Sequence, residues 1–308
     1  MTVAVDVAVL LCTYNGERHL HEQLRSLAAQ VDVGCELWVS DDGSSDATLG
    51  LIRGQQTAGA IRSLKLLAGD GQGHAANFLG LAGRVESASD YYAFCDQDDI
   101  WDADKLTRAV SWLQTQPAIV PALYCSRTRF VDEAGRPCGQ SPLFRRTPAF
   151  ANALVQNIAG GNTMVFNRAA LHVLQQAGQV DVTSHDWWLY QLLAGAGANI
   201  FYDPRPGLSY RQHARNVIGA NTGWASRVRR YLGALGGRNR GWNDRNLRAL
   251  AANPRLLTPA SQRQLQLFTQ LRAGSLLQRW RALRSGGFYA QTVSGNIGLY
   301  IATLLQKM

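Results

Sequence analysis

Acid is what the end of this chain lacks. Residues 224–308 hold one acidic residue, Asp244, against 14 Lys and Arg, a net charge of +13. Residues 1–223 hold 17 Lys and Arg against 21 Asp and Glu, a net charge of −4, so the overall +9 belongs to the tail. The shift falls at the turn-forming Asn221-Thr222-Gly223 and divides the chain into a body, 1–223, and a basic helical extension, 224–308. Cysteine is sparse too: five residues, scattered, with no Cys-x-x-Cys. That excludes a disulfide framework, argues against a zinc site and points to a reducing cytosol. No secretory signal is expected, because no basic start precedes the apolar run Val7 to Cys12 and Asp6 interrupts the approach to it. A convincing membrane span is missing as well. Phe288 to Leu305 runs 18 residues without charge, but Gln291, Ser294, Gly295, Asn296 and Gly298 make it a poor spanning helix. It reads as interfacial, or as packed in a partner. Internal repeats and low-complexity runs are absent, and 46% apolar against 17% charged residues describes a globular chain.

What is present is alternation. Val5 to Thr13 is nearly continuous in apolar residues, as expected of a parallel strand covered on both faces. A helix, Glu17 to Gln30, follows with Leu20, Leu24, Leu27 and Ala28 on one stripe. Then come a strand at Cys35 to Ser40, a helix through Leu49 and Ile52, a strand at Leu64 to Leu67 and a helix from His74 to Val85. Tyr91 to Cys95 is the fourth strand. Such spacing implies a parallel sheet with right-handed crossovers. Leu123 to Val131, turned by Asp132-Glu133-Ala134-Gly135, begins a hairpin, and the sheet becomes mixed.

Three strand ends are polar. Thr13-Tyr14-Asn15 closes the first, Asp41-Asp42-Gly43-Ser44 the second, and Asp96-Gln97-Asp98-Asp99 the fourth. In a parallel sheet these ends share one side, where ligands of open α/β sheets sit. Like charges crowded at a half-buried strand end repel unless a cation is bound, and carboxylate oxygens suit Mg²⁺ or Mn²⁺. An aromatic ring, a carboxylate acceptor and a metal-binding pair together suit a nucleotide diphosphate. Asp102 and Asp104 read instead as helix N-terminal acids. Later in the chain, Gly160-Gly161 can let a backbone approach a sugar or acceptor, or simply make a turn. Asp186, in Ser184-His185-Asp186-Trp187-Trp188, lies in the first turn of an apolar helix, where an acid also serves the helix dipole. Tyr210-Arg211-Gln212-His213 with Arg215 and Asn216 can meet phosphate or metal.

In this order the motifs resemble those of the inverting family 2 glycosyltransferases of the nucleotide-diphospho-sugar transferase fold (GT-A, Rossmann-like), over about residues 5 to 220. The resemblance implies that Thr13, Tyr14, Asn15 and Asp42 hold the nucleotide base, and that Asp96 and Asp98 hold the ribose and the metal-bound diphosphate. It also implies that Gly160 and Gly161, with Trp187, border the acceptor, that Asp186 is the catalytic base, and that His213 lies near the metal. The wording Cys95-Asp96-Gln97-Asp98-Asp99-Ile100-Trp101 and His185-Asp186-Trp187-Trp188 is most similar to bacterial rhamnosyltransferase-like members that build surface polysaccharides. A deoxythymidine diphosphate rhamnose donor and a glycan or lipid-linked acceptor follow as expectations. Where many relatives carry an acid before the base, this chain has His185.

Two other readings compete. Gly71-Gln72-Gly73-His74-Ala75-Ala76 fits a dinucleotide pattern with Asp96 twenty residues on, as in an NAD-dependent oxidoreductase, though on the third strand instead of the first. Tryptophan and tyrosine interleaved with arginine in the tail can contact nucleic acid. No known nucleic-acid motif accompanies them, so no nucleic-acid partner is expected. The expected place for the tail is the cytoplasmic face of a membrane, where Arg227, Arg229, Arg230, Arg279, Arg281 and Arg284 would meet anionic lipid.

Overall fold

A computed structural model describes residues 5–55, 59–212 and 238–307. The boundary expected near 221–223, together with His213, Arg215, Asn216, Arg227, Arg229 and Arg230, lies outside the described residues. The central sheet begins with β1 (Val5–Thr13), β2 (Val33–Asp41), β3 (Ile61–Ala68) and β4 (Tyr91–Cys95), linked by α1 (Leu20–Ala28), α2 (Thr48–Gly54) and α3 (His74–Arg84). It is completed by β6 (Ala122–Ser126), β9 (Val165–Asn167) and β10 (Asn199–Asp203), in the order β10-β6-β9-β4-β1-β2-β3. β9 is antiparallel to both β4 and β6, while the other pairings are parallel, so the sheet is mixed and mostly parallel as expected.

Period-two alternation in β1 shows why its sequence is nearly all apolar. Ala8, Leu10 and Cys12 face one core, and Val7, Val9 and Leu11 face another on the opposite side of the sheet. The second core is covered by α1, α2 and α4 (Lys105–Leu113), through Leu24, Ile52 and Leu106 among others. The first is covered by α3, by α5 (Phe150–Ala153), and by α6 (Arg168–Ala177) and α7 (His185–Gly195). β5 (Ile100–Trp101), β7 (Arg129–Val131), β8 (Pro137–Gln140) and β11 (Leu208–Arg211) form a second sheet in the order β5-β11-β7-β8, so the stretch expected as one strand, Leu123 to Val131, is split between the two sheets as β6 and β7. The hairpin expected around Asp132 to Gly135 is β7 and β8, with Asp132 Oδ1 accepting from the Ala134 and Arg136 amides.

The C-terminal helices α8 (Arg238–Ala252), α9 (Pro259–Ala273), α10 (Leu276–Gly286) and α11 (Val293–Leu304) are not independent of this body. Leu250, Leu257, Phe268, Leu271, Leu283 and Phe288 belong to the same core as Phe94 and Trp188. Polar ties reinforce the contact. The Thr258 amide donates to the Gly195 carbonyl at 2.9 Å, and Asn152 Nδ2 donates to the Tyr289 carbonyl at 2.9 Å. Arg279, expected to meet lipid, is 8% exposed, and its Nη1 donates to the carbonyls of Thr303 and Leu304. A cation there satisfies acceptors that the end of α11 leaves open, so Arg279 is a structural residue.

Asn152 is fully buried, and its Oδ1 also accepts from the Tyr190 hydroxyl at 3.0 Å. Truncating it strands the Tyr289 carbonyl and leaves the Tyr190 hydroxyl only its longer bonds to the Ala149 amide and carbonyl, at 3.2 and 3.3 Å. Asn152→Ala is expected to lower the unfolding free energy by about 1–3 kcal/mol in urea titrations, and to open the Phe288–Gln291 segment to protease. A variant as stable and as resistant as the parent would show that these ties do not hold the C-terminal helices to the body.

Candidate active site

β1 and β4 are neighbours, and the chain winds from β1 through β2 to β3 in one direction and returns to β4 on the other side. That reversal is the switch point at which open α/β sheets leave a crevice beyond their strand ends. A cleft of about 1070 Å³ opens there, walled by Tyr14, Asp42, Gly73, His74, Asp96 and Asp98 among others. Three of the polar strand ends anticipated from the sequence are therefore brought together.

Asp41 organises the first wall. It is 5% exposed and opposite Thr13 in the β1–β2 register. Its Oδ2 accepts from the hydroxyls of Thr13 at 2.7 Å and Ser44 at 2.6 Å, and its Oδ1 accepts from the amides of Ser44 at 2.8 Å and Gly43 at 3.2 Å. The Thr13 hydroxyl, expected on the base, is committed to this network, so Thr13 acts on the cleft through Asp41. Asp42 then turns outward. Its two oxygens accept from the Gly71 amide at 2.8 Å and the Gly73 amide at 2.9 Å. Gly71 and Gly73 have φ of +67° and +91°, which favour glycine. The glycine pattern that suggested a dinucleotide is thus a cradle for Asp42, and it follows an edge strand, β3, instead of either strand of the switch point, β1 or β4.

Gln97, inside the acidic signature, holds the second wall. Its Nε2 donates to the Tyr14 carbonyl at 3.0 Å while its Oε1 accepts from the Tyr14 amide at 2.9 Å. Tyr14 is left 58% exposed at the cleft, with a ring able to stack. Asn15, with φ of +47°, accepts at Oδ1 from the Ser45 amide at 2.9 Å and locks this loop to the Asp41 turn.

The clustered acids separate by burial. Asp99 is fully buried, accepts from Asn162 Nδ2, and is pushed well above the usual carboxylate range by burial and then by the charges of Asp98 and Asp96. It ties the acidic strand end to the Gly160-Gly161-Asn162 loop. Asp96 keeps its side chain 19% exposed, with His74 Nε2 at 3.7 Å from Oδ1. Burial pushes its carboxyl up to about 6; His74 opposes the shift, while the charges of Asp98 and Asp186 add to it. Oδ1 of Asp96 has no hydrogen-bond partner among the described residues. Asp98 is half-buried at the cleft. Among the described residues no three His, Cys, Asp or Glu side chains form a ready metal cage. Two carboxylates, one with an orphaned buried oxygen, nevertheless fit a Mg²⁺ or Mn²⁺ that completes its shell with phosphate oxygens and water.

Asp186 sits on the first turn of α7, 8% exposed, close enough for its charge to act on Asp96. The preceding His185 is 2% exposed, stacked on Phe78 at 4.0 Å between ring centroids and edge-on to His74 and Phe94, each at 5.0 Å. Burial and the neighbouring His74 hold its pKa well below the usual histidine range, so it is neutral packing under the site. A Cβ at Gly161 would lie 2.2 Å from His185 Nε2, which explains the glycine without any ligand. Gly160 stays exposed. Trp187, expected beside the acceptor, is 7% exposed and donates its indole N–H to the Ala153 carbonyl at 2.7 Å, which anchors α7 in the core. Arg211 is likewise occupied, paired with Glu22 and donating to the Glu133 carbonyl at 2.8 Å.

These features form an acid-lined cleft at the switch point of a GT-A-like scaffold. The chain belongs to glycosyl transferase family 2, whose profile matches residues 8–174, and it is a glycosyltransferase. It is 30% identical to the dTDP-rhamnosyl transferase RfbG of Shigella flexneri over 71% of this chain and 77% of that protein. Its fold is similar to that of S. aureus TarS 1-349 in complex with UDP-GlcNAc, at a TM-score of 0.56 and 16% identity over 97% of this chain and 90% of that one. A match to the same protein in complex with UDP covers 67% of this chain and 60% of that one, at a TM-score of 0.51 and 19% identity. The mannosyltransferase PcManGT of Pyrobaculum calidifontis, in complex with GDP-Man and Mn²⁺, matches at a TM-score of 0.52 and 20% identity over 99% of this chain and 86% of that one.

A carboxyl raised to about 6 binds its proton more tightly folded than unfolded. Its contribution to stability is therefore lost as pH climbs from about 4 through 6, where the unfolded chain has already released that proton. Asp96→Asn is expected to flatten this part of the pH–stability curve and to raise stability near pH 7.5 by about 1–3 kcal/mol. Thermal melts across pH 4 to about 8 check it. Curves of the same slope in both proteins would mean that Asp96 is not destabilised by its site.

Proposed function

We propose that this enzyme moves a sugar from a nucleotide diphosphate to a hydroxyl of a glycan or lipid-linked acceptor, by single displacement with inversion. The carrying observation is the convergence of Tyr14, Asp42, Asp96 and Asp98 on one cleft at the sheet's switch point. Tyr14 stacks on the base. Asp42, already fixed by two amides, keeps further lone pairs for a base N–H, which uracil and thymine both supply. Asp96 receives the ribose and, with Asp98, the diphosphate end of the donor. A Mg²⁺ or Mn²⁺ there would neutralise charge on the leaving diphosphate. His213, by resemblance, would approach the same end, and Gly160 and Gly161 would border the acceptor.

The chemical step needs a base opposite the leaving group. As the acceptor oxygen bonds to the anomeric carbon, its proton passes to the Asp186 carboxylate. The bond from that carbon to the phosphate oxygen breaks, and its electron pair leaves with the nucleoside diphosphate. A dTDP-rhamnose donor is favoured by similarity to the Shigella flexneri protein, and assembly of a bacterial surface polysaccharide is the matching role. Residues 224–308 would hold the enzyme on the cytoplasmic face of the membrane, where the exposed Arg281 and Arg284 each contribute about 1 kcal/mol against anionic lipid.

The two acidic positions should fail differently. Asp186→Asn is expected to keep donor affinity by calorimetry while turnover falls by about 10² to 10⁴, whereas Asp98→Asn loses donor affinity itself. Excess chelator should mimic the second variant, with activity restored by added Mg²⁺ or Mn²⁺. An active Asp186→Asn, or one that loses donor binding as badly as Asp98→Asn, would remove the base assignment. Full activity in chelator would remove the metal.

A further inference from the structure

Of the fifteen large hydrophobic side chains exposed among the described residues, nine lie between Leu276 and Leu305, so the exposure is concentrated and not scattered. In α11, Val293, Ile297, Tyr300, Ile301 and Leu304 recur at spacings of three and four and form one stripe, 39–80% exposed. The face that α11 buries carries Leu299 and Thr303 instead. A helix of this pattern ordinarily turns such a stripe inward. Here Arg279, buried and bonded to the carbonyls of Thr303 and Leu304, fixes the helix with its stripe outward. Leu276, Leu277 and Trp280 extend the patch onto α10, and the Trp280 and Tyr300 rings meet across the two helices at 6.5 Å.

Charge selects what covers this surface. The exposed Arg281, Arg284 and Lys307 lie on the same two helices and the residues just after them, and the Arg284 guanidinium lies 5.8 Å from the Trp280 ring. No acid follows Asp244 in the chain. A second copy would bring like charge to like charge, whereas an anionic bilayer offers apolar depth beneath a negative surface. Tryptophan and tyrosine favour that boundary. No helix among the described residues is long and apolar enough to cross a membrane, and α11, 12 residues long, spans only about 18 Å. We propose that the outward faces of α10 and α11 form one wedge that lies in the headgroup and acyl boundary of an anionic membrane. This rests on the peripheral association proposed above and adds apolar insertion to its electrostatics.

The test is flotation of the full chain with vesicles of phosphatidylglycerol and phosphatidylethanolamine, at low and at high salt. Binding is expected to weaken with salt yet persist, because insertion is screened less than charge. Ile297→Gln with Ile301→Gln should reduce it at least about tenfold at both salts. Arg281→Gln with Arg284→Gln should reduce it at low salt only. Ile297 and Ile301 are 55% and 39% exposed, so an unchanged melting temperature is expected; Val293→Gln with Leu304→Gln samples the same stripe should the first pair disturb folding. Binding that high salt abolishes, or that both stripe variants retain, overturns the wedge and leaves the electrostatic reading standing. No binding at any salt overturns both. Stripe variants that split a dimer while vesicle binding stays unchanged, seen by light scattering, also overturn the wedge.

Discussion

Four hydrogen bonds converge on the buried carboxylate of Asp41, and the geometry of the cleft depends on them. They join the end of β1 to the turn after β2, so that two strand ends become one rigid wall. A buried carboxylate is tolerable only when its lone pairs are satisfied, and Thr13, Gly43 and Ser44 do this locally. Because successive strand residues point to opposite sides, the burial of Asp41 is also what presents Asp42 to the cleft. Asp42 in turn gathers the Gly71 and Gly73 amides, so the order imposed at Asp41 spreads to the loop that opens α3. Gln97 performs the matching service on the other side, with Tyr14 as the shared element.

The acidic strand end shows how one short segment supports several roles through burial alone. Asp99 is sacrificed to architecture, joined to Asn162 beneath the surface. Asp96 stands between architecture and ligand: too buried to ionise easily, too poorly bonded to be structural, and eased only by His74 at 3.7 Å. Such a group is destabilising unless a positive charge lies beside it, which is what the proposed diphosphate-bound cation would supply. His185 completes the contrast. Flanked by aromatic rings and neutral, it fills space where a second acid would have worsened the repulsion around Asp96 and Asp186.

Much of this was legible in the sequence, and the misses have physical causes. The first four strands are long, apolar and regularly spaced, so they and their polar ends were readable. Of the second sheet only the hairpin turn at Asp132 to Gly135 was readable, because strands of two to four residues carry no period. Asp41 and Asp42 look alike in one dimension; only the register against Thr13 separates the buried anchor from the residue that lines the cleft. The sequence leaves Gly161 as either a turn or an approach to an acceptor, and cannot show that a Cβ there would meet His185, 24 residues on. In sequence Arg279 suits a lipid contact and Arg211 a phosphate or metal, whereas both are buried with acceptors from remote segments. Charge counting exposed the basic tail but not the outward stripe of α11, since an apolar face gives the same pattern whichever way it turns.

The measurement closest to the proposed chemistry is the anomeric configuration of the product, read by proton NMR with any donor the enzyme turns over. A base on one face and a leaving diphosphate on the other require that the new linkage be inverted relative to the donor. A product that retains the donor's configuration would contradict single displacement with Asp186 as base.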